Sequence, residues 1–135
     1  MNTLQRRNDL KTILLVQIVT VPVVLAFFKF ISPIKVAALF AGALFILFGL
    51  FGFYKTRAHA SLPTNFLAML FSIHIFLISI PMIVVRLLNW DAEFNTLTIW
   101  WLPAPLFHGL SSGLYLFIFS AAAFQYWRLG KARSS

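Results

Sequence analysis

Charged side chains cut this sequence into four apolar windows, and each can be measured against the roughly 20 residues that an α-helix needs to cross about 30 Å of hydrocarbon. Thr12–Phe28, between Lys11 and Lys29, holds 17 residues and spans if Lys29 snorkels outward. Val36–Tyr54, between Lys35 and Lys55, holds 19, rich in Ala, Leu and Phe. The third window opens on His59-Ala-Ser-Leu-Pro-Thr64, which reads as a loop because proline suits the start of a helix and not its interior, so the third helix is expected over about 65–86. Phe94–Trp127 holds 34 residues, too many for one upright span and too few for two with a turn. It divides into a conventional span over about 108–127 and a segment, 94–107, where Trp100 and Trp101 stand beside Pro103 and Pro105. Tryptophan gathers at headgroup level, so this segment is expected to be interfacial or re-entrant, or else a kinked extension of the fourth helix.

The fold class that follows is all-α and integral to a membrane: one domain, a four-transmembrane-helix bundle, with two tandem helical hairpins as one reading of its origin. In the second helix Ala38, Gly42, Phe45, Gly49 and Gly52 step alternately by four and three, and in the fourth Gly109, Gly113, Leu116, Ser120 and Ala123 do the same. Thr20-Val-Pro22 and Ser79-Ile-Pro81 echo each other in the first and third, and the two offsets differ by 12, about the excess of the Trp-rich loop over the first loop. Small residues let backbones approach in lipid, so helices two and four are expected to form the tight contact of the bundle or its dimer face, with Gly109 and Gly113 a literal GxxxG. Pro22 and Pro81 leave the carbonyls of Ile18 and Leu77 without helical donors, and bends are expected at matched depths.

Composition strengthens this reading. With 61% of residues hydrophobic and 10% charged, no domain of this chain could cover itself with polar surface in water. Cysteine is absent, which excludes disulfides, thiolate metal sites and thiol chemistry. The net charge of +8 distributes unevenly. Arg6, Arg7, Lys11, Lys55, Arg57, Arg128, Lys131 and Arg133 fall at one end of a four-span chain, against Lys29, Lys35 and Arg86 at the other, so both termini are expected in the cytoplasm and the compartment is expected to be an inner membrane. Basic residues confined to helix ends point to anionic lipid at the cytoplasmic face rather than to nucleic acid. Arg6, Arg7 and Lys11 before an apolar run resemble an export signal, but Ala26 leads straight into Phe27-Phe28-Lys29 with no small-x-small site, and the segment is expected to stay as an anchor.

Candidate chemistry is sparse. No carboxylate lies at membrane depth, so a proton- or cation-coupled exporter would lack its central group. Gln17 and His74 fall at nearly equal depth and are expected to meet in an interhelical hydrogen bond, with a proton relay or ligand contact as the alternative. His108 completes the intramembrane polar set and could share a haem iron with His74 only if the fourth helix begins early. Lys29, Lys35 and Arg86, near Ser32-Pro33, form a candidate site for an anionic headgroup if they do more than snorkel. No nucleophile with its base, no phosphate-cradling glycine loop and no metal-ligand spacing occurs, so neither catalysis nor a cofactor or metal is expected.

The run Lys11-Thr-Ile-Leu-Leu-Val-Gln17, with a small-residue helix ending in Tyr54-Lys55, resembles the four-helix ATP synthase accessory protein I over less than half of the chain. The Gly-Glu-x-x-Lys element of that family's third helix has no counterpart in the run from Asn65 to Met69 or after it, and no role is carried over. The function expected is that of a non-catalytic accessory, assembly or immunity-type subunit packed against a partner membrane protein or a second copy. The alternative is a small dimeric transporter or lipid flippase hinged at Pro22 and Pro81, and the third reading is a haem-binding electron-transfer subunit.

Overall fold

Between Thr3 and Phe30 only Pro22 could interrupt a helix, and the first helix, α1 (Thr3–Phe30), runs through it. It begins nine residues before the first apolar window, because a charge-free window measures the hydrocarbon and nothing in the polar turns before it breaks a helix. The computed structural model of the protein describes residues 3–58 and 62–134, with side chains through Lys131; His59 and the Arg133 side chain lie outside these. A turn at 31–33, with a cis Ser32–Pro33 bond, leads into α2 (Ile34–Arg57), whose N-cap is Pro33. The third span, Leu62–Leu88, consists of α3 (Leu62–Ile73), a π-helical turn (His74–Ser79) and α4 (Ile80–Leu88). It starts three residues earlier than expected, with Pro63 inside the first turn, where a missing N–H removes no helical bond. The fourth span is α5 (Ala104–Ser134), and Pro105 sits in its first turn in the same way.

These four helices are long and apolar enough to cross a membrane, and the chain is an all-α, four-span membrane protein. Its outer surface is what lipid requires, with Leu15, Leu25, Leu47, Phe76, Leu116 and Phe124 all exposed. The helices close a ring in chain order: α1 lies against α2, α2 against the third span, the third span against α5, and α5 against α1. One end of the ring, the basic end, carries the start of α1 and the end of α5. The other, the hairpin end, carries the turn at 31–33 and the longer connection between α4 and α5.

That geometry corrects the expected union of the two small-residue stripes inside one bundle. α2 and α5 stand diagonally across the ring, so Gly42, Gly49 and Gly52 turn instead to the third span. A Cβ at Gly42 would come within 2.9 Å of Ile83, and one at Gly49 or Gly52 would press on Ile75 or the Phe71 ring. Ala38, on the same helix, is half-buried. On α5 Ala123 is half-buried and Ser120 exposed, whereas a Cβ at Gly109 or Gly113 would meet nothing within 4 Å.

Two apolar cores fill the interior. The larger joins Leu10 and Ile13 of α1, Phe48 of α2, Phe71 of α3, and Ile118 and Ala122 of α5. The smaller, nearer the hairpin end, joins Ile78, Leu97, Ile99, Ala104 and Phe107. Leu97 and Ile99 belong to the connection, which makes a short 3-10 turn (Phe94–Thr96) and an antiparallel pair, β1 (Thr98–Ile99) and β2 (Leu102–Pro103). Of the 94–107 segment, 94–103 therefore contains no α-helix and packs against α4, and its last four residues open α5. The connections of the two helical hairpins have three and fifteen residues, at 31–33 and 89–103, a difference equal to that between the two sequence offsets.

Candidate functional site

Between the two cores lies a polar layer built from three helices. Gln17, Thr20, His74 and Ser79 are all buried. The side-chain amide of Gln17 donates to the backbone carbonyl of Tyr115 at 2.8 Å, and the Tyr115 hydroxyl donates back to the carbonyl of Gln17 at 2.8 Å, so α1 and α5 are tied by a reciprocal pair. Thr20 donates to the carbonyl of Val16 one turn earlier, a local bond that leaves no hydroxyl proton unsatisfied in the apolar interior.

His74 is at this level, as its depth in the sequence implied, but its partner is not Gln17. Its Nδ1 lies 3.3 Å from the Ser79 hydroxyl, and its ring packs near those of Phe45 and Tyr115. In a regular α-helix residues five apart point about 140° away from each other. The π-helical turn brings them to one face, the backbone N–H of Ile80 reaching the carbonyl of Ile75, five residues back. Gln17, meanwhile, is held by Tyr115, a residue the sequence did not single out, although it lies about as many residues inward from the start of α5 as His74 does from Arg86. Interhelical hydrogen bonds in membranes contribute about 0.6 to 1.7 kcal/mol each. Tyr115→Phe, which keeps the ring against Phe48 and deletes one bond of the pair, should lower stability to denaturation in mixed micelles by about 1 kcal/mol. No loss at all would mean that the hydroxyl has a lipid-satisfied alternative.

The proline of the third span opens a second polar point. Pro81 has no N–H for the carbonyl of Leu77, and the indole Nε1 of Trp100 donates to that oxygen at 2.8 Å. Leu77 lies nine residues, about 13 Å along the helix, below Arg86, so the Trp100 ring reaches well below the charged boundary. It does so from the tip of the β1–β2 hairpin, where Trp100 and Trp101 have φ of 52° and 65°. Two consecutive left-handed residues make a type I′ turn, which ordinarily takes Asn-Gly, and bulky side chains are strained there. Trp101 is 91% exposed.

The cations at this end do not gather into an anion site. Lys35 donates to the carbonyl of Trp90 at 3.2 Å and lies over its ring, while Arg86 donates to the carbonyls of Ala92 and Asn89. Both therefore fasten the connection that follows α4. Lys35 also stands 3.8 Å from Asp91, a fully exposed carboxylate that adds little in water. Lys29 is exposed and rests over the ring of Phe30. The haem geometry is also absent. His108 is exposed against Phe94 and lies seven residues, about 10 Å, from the level of Tyr115 and His74, too far for one iron. Among the described residues no group of three or more His, Asp or Glu is placed to hold a metal ion.

The basic end sets its cations against aromatic rings. Arg57, Arg128 and Lys131 each lie over an aromatic ring one turn earlier in their own helix, Phe53, Phe124 and Trp127, and Arg7 of α1 lies over Tyr126 of α5. Compared with known proteins, the chain matches no family, no curated protein and no solved structure.

Proposed function

We propose that this protein is a non-catalytic accessory or assembly subunit of an inner membrane, with both termini cytoplasmic, which receives a transmembrane helix of a partner protein on the outer half of α5. The observation that carries the reading is the open face at Gly109 and Gly113, where nothing lies within 4 Å of a built Cβ. It is bordered by Leu106, Leu110 and Phe117, all exposed. In lipid, where apolar burial gives no drive between helices, a bare backbone with this spacing is what permits close contact and strong dispersion. The other glycine face of the molecule, on α2, is already filled by the third span. The cytoplasmic placement rests on the excess of Lys and Arg at the basic end, which also favours an anionic leaflet there.

Gly109→Leu and Gly113→Leu should each leave insertion and monomer stability intact and reduce partner recovered by co-purification from native membranes at least about tenfold, the loss expected when helices are held a side chain apart. Unchanged recovery would reject the reading, and loss of a homodimer in place of a foreign partner would make the occupant a second copy. A transporter or flippase has less support, since Lys35 and Arg86 are engaged by the connection rather than free for a headgroup.

A further inference from the structure

Phe45 is ten residues from Lys35 and ten from Lys55, and its ring meets that of His74 with centres 5.9 Å apart, so His74 marks the middle of an apolar width of about 30 Å. Leu77 stands three residues, about 4 Å, from that middle toward the hairpin end, and its carbonyl is the acceptor of the Trp100 indole. The tip of the β1–β2 hairpin is therefore fastened inside the apolar layer, with the Trp101 ring beside that of Trp100 at a centre-to-centre distance of 6.5 Å. One face of the hairpin is answered by protein, since Ile99 is buried with Leu97 in the smaller core. The other is not. Thr98 and Trp100 are exposed, Trp101 is almost wholly so, and neither the indole nor the peptide N–H of Trp101 has an acceptor among the described residues. Two N–H groups turned outward at this depth would be stranded in hydrocarbon, which offers neither water nor a carbonyl.

The leaflet answers them only by coming to the hairpin. We propose that the β1–β2 hairpin draws the glycerol-ester layer of the surrounding phospholipids inward and thins the leaflet beside α4 and the start of α5, with an ester carbonyl accepting from the Trp101 indole. Tryptophan settles at that layer because its ring is apolar while its N–H needs an acceptor. The hairpin cannot rise to meet the layer at its usual level, because Trp100 is bonded to Leu77 and the turn is closed by the pairing of Ile99 with Leu102. A bilayer thins at modest cost, so the lipid is the side that gives. The surface does not involve Gly109 or Gly113, and it holds whichever leaflet lies at the hairpin end.

Because the chain has no cysteine, single nitroxide labels can be placed on the full-length protein in phosphatidylcholine vesicles without any other substitution. Ile80, six residues from His74 toward the hairpin end, and Phe40, five residues from Phe45 in the same direction, are both exposed and stand at matched depth. Ile80 is on α4, against which the hairpin packs, and Phe40 is on α2, across the bundle from α5. Depth is read from collisions of the label with oxygen and with a water-soluble nickel chelate. The label at Ile80→Cys should read shallower than that at Phe40→Cys by at least about 3 Å, the rise of two helical residues. Trp101→Phe, which keeps a ring and removes the indole N–H, should take away at least about half of that difference, and Trp127→Phe, at the basic end, should leave it whole. A diether phosphatidylcholine, which has no ester carbonyl, should act as Trp101→Phe does. Equal depths at the two labels overturn the proposal, as does a difference that either Trp101→Phe or the diether lipid leaves unchanged. Should Trp101→Phe fail to insert, the diether comparison decides.

Discussion

Leucine in place of Gly52 should cost the bundle about 3 kcal/mol or more, enough to prevent recovery of folded protein from mild detergent. The Phe71 ring lies directly where even a Cβ at Gly52 would be, and Phe71 is fully buried, packed at its other side against Phe48 with ring centres 5.5 Å apart. Neither ring has space to turn into, because both belong to the larger core with Ile13, Leu67 and Ile118. The added side chain must therefore force α2 away from α3. Gly113→Ala is the matched control, since its Cβ meets nothing and alanine in a helix is favoured over glycine by about 0.5 to 1 kcal/mol. Midpoints in a sodium dodecyl sulfate titration should move in opposite directions for Gly52→Leu and Gly113→Ala. Equal shifts would mean that α2 does not lie against the third span as described.

The same pair of glycines shows how far the sequence could be read. Both stripes were visible as small residues at alternating steps of four and three, because helical spacing is written directly in the chain. Which helix each stripe meets was not, since the packing order of four spans is a property of their loops and of all their faces together. The short turn at 31–33 forces α1 beside α2, and the ring then closes so that α2 and α5 are diagonal. Charge-free windows located every crossing, yet the first opens at Thr12, nine residues inside α1, because lipid limits where charge may sit and does not limit where a helix may run. The late start expected at His108 has another cause, since Pro103 and Pro105 read as non-helical chain although Pro105 fits the first turn of α5. The polar layer was legible in part. Equal depth for Gln17 and His74 follows from rise per residue. The exchange of partners, Gln17 to Tyr115 and His74 to Ser79, depends on rotation about the helix axis, and a π-helical turn resets that rotation without any mark in the sequence other than the proline that follows it.

That proline supports the last prediction. Trp100→Phe, which keeps an aromatic ring at the hairpin tip but removes its N–H, should lower stability by about 2 kcal/mol, because it strands the carbonyl of Leu77 in an environment with no water to replace the bond. The cause can be isolated by a cycle with Pro81→Ala, which returns a backbone N–H to the helix. In that background the carbonyl has a helical donor again, and Trp100→Phe should cost little, so the coupling between the two substitutions should account for most of the single-mutant loss. Additive effects would place the tryptophan's contribution in packing alone. The neighbouring residue should respond in the opposite sense. Trp101, at φ 65° and almost wholly exposed, gives up about 1 to 2 kcal/mol to a left-handed conformation that glycine adopts freely, and Trp101→Gly should therefore raise stability. Trp101 stands beside the start of α5, near the open glycine face, so on the function proposed above Trp101→Gly should yield a sturdier monomer that holds a partner helix less well.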